Sequence, residues 1–169
     1  MSGVATITKK AVQKSKTKIA LTRKTIPGFQ LLDKRAGVIA GALPHRKNLE
    51  EMILIKENHL LFFEDIRTAI KKAKKTRKKV EVETENEKQS ILASEEKPNI
   101  IMLDNFSPKK AKETIKKLRK KGFNGQIELS GGITLKNISK YSNADADFIS
   151  MGELTKKAKI IDFNMVVTK

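Results

Sequence analysis

The sequence predicts an α/β protein whose parallel strands form a partly open, TIM-like (β/α) barrel of about six or seven strands. Short apolar, β-branched runs alternate with stretches of helical periodicity, which is typical of parallel βαβ units. The last four runs begin near residues 80, 99, 126 and 146, in steps of 19, 27 and 20 residues. No Gly-x-Gly-x-x-Gly motif follows the first run, which disfavours an open dinucleotide-binding sheet. A chain of 169 residues is shorter than a complete barrel of about 250 residues, so we expect an incomplete barrel in one domain, residues 1–169.

Seven runs are predicted as strands because they are continuously apolar or β-branched, as strands covered on both faces are. They are residues 18–22, 37–43, 52–55, 80–84, 99–103, 126–129 and 146–151. Helices are predicted between them at residues 62–75, 85–94, 108–121 and 135–141. Ser107 before Pro108 indicates an N-cap with proline at the first helical position, and Gly122 indicates the C-terminal cap of the same helix.

The strong positive charge is the next feature. The chain has 36 lysines and arginines against 19 acidic residues, a formal charge of +17, which raises nucleic-acid binding as a function. However, the basic runs 71–79 and 109–121 contain apolar residues at helical spacing, such as Ala111, Ile115 and Leu118. This pattern favours solvent-exposed faces of packed helices. The chain has no tryptophan and one tyrosine, so it lacks stacking platforms for bases.

Composition also excludes several kinds of site. The absence of cysteine removes disulfides, thiolate nucleophiles and cysteine-based metal sites. No apolar run reaches the roughly 20 residues that span a bilayer, and the first residues do not form a signal peptide. We therefore expect a soluble cytoplasmic protein without membrane contact.

Polar and ionisable residues follow the predicted strands, where the catalytic groups of parallel barrels gather. In residues 80–84 the valines must face the helices, so Glu81 and Glu83 point into the barrel. The same alternation points Asp104 inward and places Glu128 and Ser130 on one face. Inward charges are costly without partners. Cations that could oppose them are Arg23, Lys24, Arg46 and Lys56; a purely structural network of internal ion pairs is the alternative.

These residue types suit the binding of a small anionic substrate. Fixed arginines and lysines bind carboxylates or phosphates. Acidic residues on neighbouring strands suit Mg²⁺ that arrives with a phosphate substrate. Ser130-Gly131-Gly132, predicted to open a helix, offers backbone N–H groups to a phosphate, and Gly152 allows a second loop to approach closely.

Seven ordered motifs give the chain a specific family resemblance, and the match runs from about Ser2 to the C-terminus. They are residues 22–28, 45–46, 55–59, 80–83, 102–105, 128–133 and 150–155. In order and spacing they resemble quinolinate phosphoribosyltransferase, also called nicotinate-nucleotide pyrophosphorylase (carboxylating). The resemblance implies a type II phosphoribosyltransferase barrel. It also implies an enzyme of NAD biosynthesis that joins quinolinate to phosphoribosyl pyrophosphate with Mg²⁺, releasing pyrophosphate and CO₂ and leaving nicotinate mononucleotide.

The resemblance also implies roles for individual residues. The quinolinate carboxylates would be held by Arg23, His45, Arg46 and Lys56. The phosphoribosyl pyrophosphate would be held by Lys24, Glu83, Asp104, Ser130, Gly131, Gly132 and Gly152. Among these, Lys24, Glu83 and Asp104 would be catalytic, and Glu83 and Asp104 would bind Mg²⁺, directly or through water or substrate.

The sequence also departs from the family pattern. The resemblance implies an N-terminal sandwich domain, with an arginine motif that reaches into the partner subunit's active site; we expect this sequence to lack that domain and to begin with the helix that follows it. A homodimer, a higher homo-oligomer or a separate N-terminal domain chain is therefore expected. Gln30, Glu57 and Lys156 replace a usual arginine, aspartate and histidine. Three alternatives stay open: a catalytically incomplete phosphate- and dicarboxylate-binding remnant, a relative of the pyrophosphorylase-like proteins encoded beside molybdate transporters, and a basic nucleic-acid-associated protein.

Overall fold

A wholly parallel, six-stranded sheet forms the centre of the computed structural model, which describes residues 1–168. Its strands are β1 (Lys18–Ala20), β2 (Met52–Ile55), β3 (Lys79–Thr84), β4 (Ile100–Asp104), β5 (Gln126–Ser130) and β6 (Phe148–Ser150). Their spatial order is β1-β6-β5-β4-β3-β2, so β1 and β2 are the two edges and do not pair with each other. The sheet is therefore a partly open barrel, as the sequence predicts.

The helices alternate with these strands along the chain. They are α1 (Ser2–Lys14), α2 (Gln30–Ile39), α3 (Glu57–Leu60), α4 (Ile66–Lys74), α5 (Glu87–Glu95), α6 (Pro108–Lys120), α7 (Ile138–Tyr141) and α8 (Glu153–Lys156). The predicted start and caps of α6 are confirmed, and the helix ends one residue before the predicted end: the Ser107 hydroxyl accepts from the Lys110 N–H, and Gly122 follows the helix with φ +83°. No helix within residues 1–168 is long and apolar enough to cross a membrane.

The predicted strand at residues 37–43 is wrong. Its first residues complete α2, whose buried side includes Ala36 and Gly37, and a turn follows. Only Leu43 pairs with β1: its N–H donates to Ile19 O at 2.7 Å, and its carbonyl accepts from Leu21 N at 2.9 Å. A short, continuously apolar run can belong to a helix as well as to a strand, which explains the error; Val38 and Ile39 at the end of α2 are in fact exposed. Leu43 extends the sheet by one residue beyond β1, and the barrel is open between Leu43 and β2.

The apolar core lies between the sheet and the helices. Outward-facing strand residues Val80, Val82, Ile101, Leu103 and Leu129 are no more than 1% exposed. They belong to the same buried cluster as Ile66, Ile70, Ile115 and Leu118 of the outer helices. A second, smaller cluster contains Met52, Ile100 and Phe148, the first residues of β2, β4 and β6, together with Ala20 of β1. The residues two positions further along the strands face the barrel interior above this apolar cluster; they are Thr22, Leu54, Met102 and Ser150.

Candidate active site

A pocket of about 450 Å³ lies at the carboxyl ends of the strands. It brings together most of the residues that the sequence singles out. Its lining residues are Thr22, Arg23, Lys24, His45, Arg46, Leu54, Lys56, Glu83, Met102, Asp104, Glu128, Ser130 and Ser150. The predicted Gly131, Gly132 and Gly152 are not among them, but they follow Ser130 and Ser150 in the chain, and a Cβ on Gly152 would lie 3.8 Å from Lys24 Cδ.

One wall of the pocket carries an ion pair and a second carboxylate. Lys56 Nζ lies 2.6 Å from Glu83 Oε2, so the predicted pairing of an inward cation with Glu83 is present. Partial burial raises the pKa of Glu83, Lys56 opposes that rise, and Asp104 adds to it. Asp104 extends from the neighbouring strand β4 on the same inward face. Two carboxylates that repel each other at a pocket wall would be stabilised by a cation between or near them.

The loop after β5 is shaped by glycine. Gly131 and Gly132 have φ values of +83° and +61°, in the left-handed region that favours glycine. A Cβ on Gly131 would clash with the side-chain oxygen of Asn105, whose backbone N–H donates to Ser130 O at 3.0 Å. The loop does not open directly into a helix, contrary to the sequence expectation, because α7 begins at Ile138. Any phosphate contact here depends on the loop's own N–H groups and on Ser130.

At the floor of the pocket lies a trio of His45, Glu81 and Glu128, in which both glutamates are buried and the His45 side chain is 9% exposed. The Nε2 atom of His45 lies 2.9 Å from Glu128 Oε2 and 3.7 Å from Glu81 Oε2. Its Nδ1 atom accepts the backbone N–H of Arg46 at 2.8 Å. Because Nδ1 is an acceptor, the proton of the neutral ring is on Nε2, which donates to Glu128. Burial lowers the pKa of His45, which keeps the ring neutral.

The two carboxyl groups of this trio are unusual. Burial, reinforced by the Glu128 carboxylate, raises the pKa of Glu81 to about 9. Burial raises the pKa of Glu128 as well. Neither oxygen of Glu81 has a hydrogen-bond partner among residues 1–168. Near neutral pH Glu81 is therefore uncharged, and the trio carries at most one negative charge.

The trio has the residue types of a metal centre, with ligand atoms within 4.8 Å of one another. A histidine that binds a metal through one nitrogen carries its proton on the other and donates it to a neighbour. Here Nδ1 faces the donor N–H of Arg46, so it cannot carry that proton. The donor set of Glu83 and Asp104, which faces the open pocket, suits a hard cation better.

Sequence reasoning missed several contacts around the pocket. The Lys34 ammonium is nearly buried and donates to the carbonyls of Pro44 and Arg46. Thr155 Oγ1 donates to Lys24 O from α8. Alternation along β5 indicates that Glu128 points inward, but nothing in the sequence indicates that it meets His45. No signal marks Lys34, because α2 itself is not recognised.

A second cavity, about 670 Å³, lies at the opposite, amino-terminal end of the barrel. Apolar residues line much of it, including Met52, Ile100, Phe123 and Phe148. His45 and Arg46 border both cavities. The ion pair, Asp104 and the glycine loop all belong to the carboxyl end, where the chemistry of parallel barrels is found. The smaller pocket is therefore the candidate active site.

Known proteins are similar to this chain in sequence and in fold. The family described as "Quinolinate phosphoribosyl transferase, C-terminal domain" matches residues 4–166. The probable carboxylating nicotinate-nucleotide pyrophosphorylase of Methanocaldococcus jannaschii is 40% identical over 100% of this chain and 64% of its own length. The Archaeoglobus fulgidus protein of the same name is 37% identical over 99% of this chain and 67% of its own length.

Solved structures agree with these matches. The nicotinate-nucleotide pyrophosphorylase of Francisella tularensis superposes with a TM-score of 0.87 at 40% identity, covering 94% of this chain and 57% of that one. The chain thus spans about three fifths of the length of the proteins it matches. Because the match covers nearly all of its sequence and its fold, the chain belongs to the quinolinate phosphoribosyl transferase family, in which it corresponds to the C-terminal domain.

Proposed function

We propose that this chain is the barrel part of a quinolinate phosphoribosyltransferase of NAD biosynthesis. The observation that carries the proposal is the single pocket in which Arg23, Lys24, Arg46 and Lys56 converge with Glu83 and Asp104. Such a pocket suits two anionic substrates and a hard cation. The family match supports the particular pair, quinolinate and phosphoribosyl pyrophosphate.

The quinolinate side of the pocket is formed by Arg23, His45, Arg46 and Lys56 in this proposal. Arg23 and Arg46 offer guanidinium groups that can bind a carboxylate with two hydrogen bonds. Lys56 is paired with Glu83, so a substrate carboxylate would share its ammonium group. Both ring nitrogens of His45 already bind the chain itself, so direct contact with a carboxylate requires the ring to leave Glu128.

The phosphoribosyl pyrophosphate side is formed by Lys24, Glu83, Asp104, Ser130, Gly131, Gly132 and Gly152 in this proposal. The mutual repulsion of Glu83 and Asp104, and their oxygen donors, fit Mg²⁺ held partly by the substrate's phosphates. When bound, Mg²⁺ supplies neutralising charge to the pyrophosphate leaving group. Lys24 adds a fixed cation there, and the positive-φ loop after β5 gives a phosphate room to approach the backbone.

Catalysis in such a pocket depends on positioning and charge. The arginines orient quinolinate so that its ring nitrogen faces the ribose C1 atom. The nitrogen forms the new bond as the C1–oxygen bond to pyrophosphate breaks, and Glu83 and Asp104 stabilise the positive charge that develops on the ribose. The ring, now cationic, accepts the electron pair of the adjacent carboxylate. CO₂ leaves, and a solvent proton takes its place, giving nicotinate mononucleotide.

Association with further protein is part of the proposal, either with a second copy of the chain or with an N-terminal sandwich domain on a separate chain, in the cytoplasm. Residues 1–169 would form one barrel domain within that assembly. Exposed apolar side chains on one helix support this, since Leu31 and Ile39 of α2 are 74% and 73% exposed. Apolar area of this kind is usually covered in the working state of a protein.

Calorimetry with each substrate, followed by a turnover assay, tests the proposal. We expect Mg²⁺-dependent binding of phosphoribosyl pyrophosphate, binding of quinolinate, and formation of nicotinate mononucleotide that is lost in Lys24→Ala. Binding of both substrates without turnover, even with an added N-terminal domain, would instead identify a binding remnant. Failure to bind either one, together with salt-sensitive binding of DNA, would overturn the proposal in favour of the nucleic-acid alternative.

A further inference from the structure

The segment Pro44, His45 and Arg46 crosses the open side of the barrel. It starts beside Leu43, which pairs with β1, and Arg46 Nη1 donates to Met52 O at the start of β2 over 3.2 Å. His45 has a φ of +54°, a left-handed conformation that is uncommon for a residue with a side chain. Such a backbone persists only where the surroundings hold it in place.

Lys34 holds this segment from the helical side. Its ammonium group donates to Pro44 O and, over 2.9 Å, to Arg46 O, the carbonyls on either side of His45. Lys34 is only 5% exposed, although lysine is rarely buried. Burying an ammonium group costs free energy, and within residues 1–168 no carboxylate is among its hydrogen-bond partners. What the buried ammonium group does is hold two backbone carbonyls in place.

Glu128 holds the same segment from inside the barrel. It accepts the Nε2 proton of His45 at 2.9 Å, and Phe148 meets the ring edge-on with centroids 6.0 Å apart. With its plane set in this way, the ring accepts the Arg46 N–H on Nδ1. Glu128 thus acts on the backbone of Arg46 through His45.

We propose that Lys34 and Glu128 are positioning residues that hold the segment 44–46 so that Arg46 faces the pocket. The identity of the carboxylate that Arg46 binds rests on the proposed function. Lys34 lies outside the pocket lining, and Glu128 is part of the pocket floor, where it is fully buried. Both act on substrate through the segment between them, and the glycine loop and Asp104 on the phosphate side do not depend on it.

Paired affinities for the two substrates test this proposal. In Lys34→Met and in Glu128→Met we expect quinolinate affinity to fall about tenfold or more, because a small displacement of a binding group is costly. Affinity for phosphoribosyl pyrophosphate with Mg²⁺ should stay within about twofold of the parent. Glu128→Gln keeps an acceptor for Nε2 and should restore quinolinate binding. Lys88→Met, an exposed lysine on α5, is the matched control and should bind both substrates as the parent does.

Equal losses of both affinities in folded Lys34→Met and Glu128→Met, or failure of Glu128→Gln to restore quinolinate binding, would show a general structural role and overturn the proposal. Nitrogen-15 NMR of the histidines adds a readout that needs no substrate. We expect a slowly exchanging proton on Nε2 of His45 in the parent and in Glu128→Gln, and its loss in Glu128→Met. The other histidine, His59, is exposed and is the internal reference. A proton on Nδ1 of His45 in the parent would overturn the proposal.

The NMR result also separates this proposal from the proposed function. If the parent binds no quinolinate but shows the expected Nε2 proton, the function is wrong and the positioning of the segment stands. If it binds quinolinate but carries the proton on Nδ1, the function stands and the positioning proposal fails.

Discussion

The two faces of the barrel strands follow opposite physical rules. On β3, Val80 and Val82 face the helices in a dry apolar core, whereas Glu81 and Glu83 face the barrel interior. On β5, Leu129 packs outward and Glu128 inward. Outward side chains gain free energy from burial, while buried inward carboxyl groups cost free energy. The comparison teaches that stability resides on the outward face and chemistry on the inward one, so substitutions on the two faces should have separable effects.

Leu129→Ala on the outward face is expected to have the largest effect. Leu129 is 1% exposed in the core, and truncating a buried leucine costs about 2–5 kcal/mol. Urea unfolding followed by circular dichroism measures this loss, and substrate affinity of the folded protein should not change. A loss below about 1 kcal/mol would contradict the assignment of stability to this face.

Glu81→Gln on the inward face should increase stability, and more so at high pH. The folded chain holds the Glu81 proton up to about pH 9, whereas an unfolded glutamate releases it near its ordinary pKa. Between these values the folded state binds more protons, so the stability of the parent falls as pH rises through this window. We expect the variant to exceed the parent by a few kcal/mol near pH 9 and by little near pH 4.

The pH dependence of Glu81→Gln is measured by urea midpoints across that range. Glu113→Gln, which changes an exposed glutamate on α6, is the control and should keep the slope of the parent. A parent whose stability does not decline relative to Glu81→Gln would show that Glu81 is charged in the fold.

Asp104→Asn, also inward, separates binding from folding. It removes one carboxylate of the proposed cation site and relieves its repulsion of Glu83. We expect Mg²⁺-dependent affinity for phosphoribosyl pyrophosphate to fall about tenfold to a hundredfold, with unfolding free energy unchanged or slightly raised. Calorimetry with and without Mg²⁺ is the measurement. Equal affinity in variant and parent would place the cation elsewhere.

Asn86→Ala, at the start of α5, should have the smallest effect. The Asn86 side chain accepts the Gln89 N–H at 3.0 Å and caps the helix. Its loss should cost about 1 kcal/mol of stability and leave both substrate affinities intact. Asn86→Asp, which also caps well, should restore the parent's urea midpoint. A fall in affinity with Asn86→Ala would show that the outer helices are not independent of the pocket.

The sequence was informative wherever local periodicity decided the structure. Strand β2 has the predicted bounds, and alternation in β3 correctly directs Glu81 and Glu83 inward. Residues 37–43 show the limit of this reasoning, because periodicity alone does not distinguish a helix from a strand in a short apolar run. The contact of His45 with Glu128 joins residues 83 positions apart, and no local pattern encodes it. The residues that the motif resemblance singles out lie together in one pocket, apart from the three glycines, but their roles stay predictions.

The strand order has a consequence for how the pocket is built during folding. Strands β2 to β6 pair with their neighbours in the chain, whereas β1 joins β6 with Lys18 opposite Phe148, a separation of 130 residues. Closing so long a loop carries the largest entropic cost of any pairing in this sheet. Because β1 leads directly to Thr22, Arg23 and Lys24, these pocket residues reach their positions only when β1 pairs with β6. Folding intermediates that lack β1 would therefore be compact on the β2 to β6 side and unable to bind either anion.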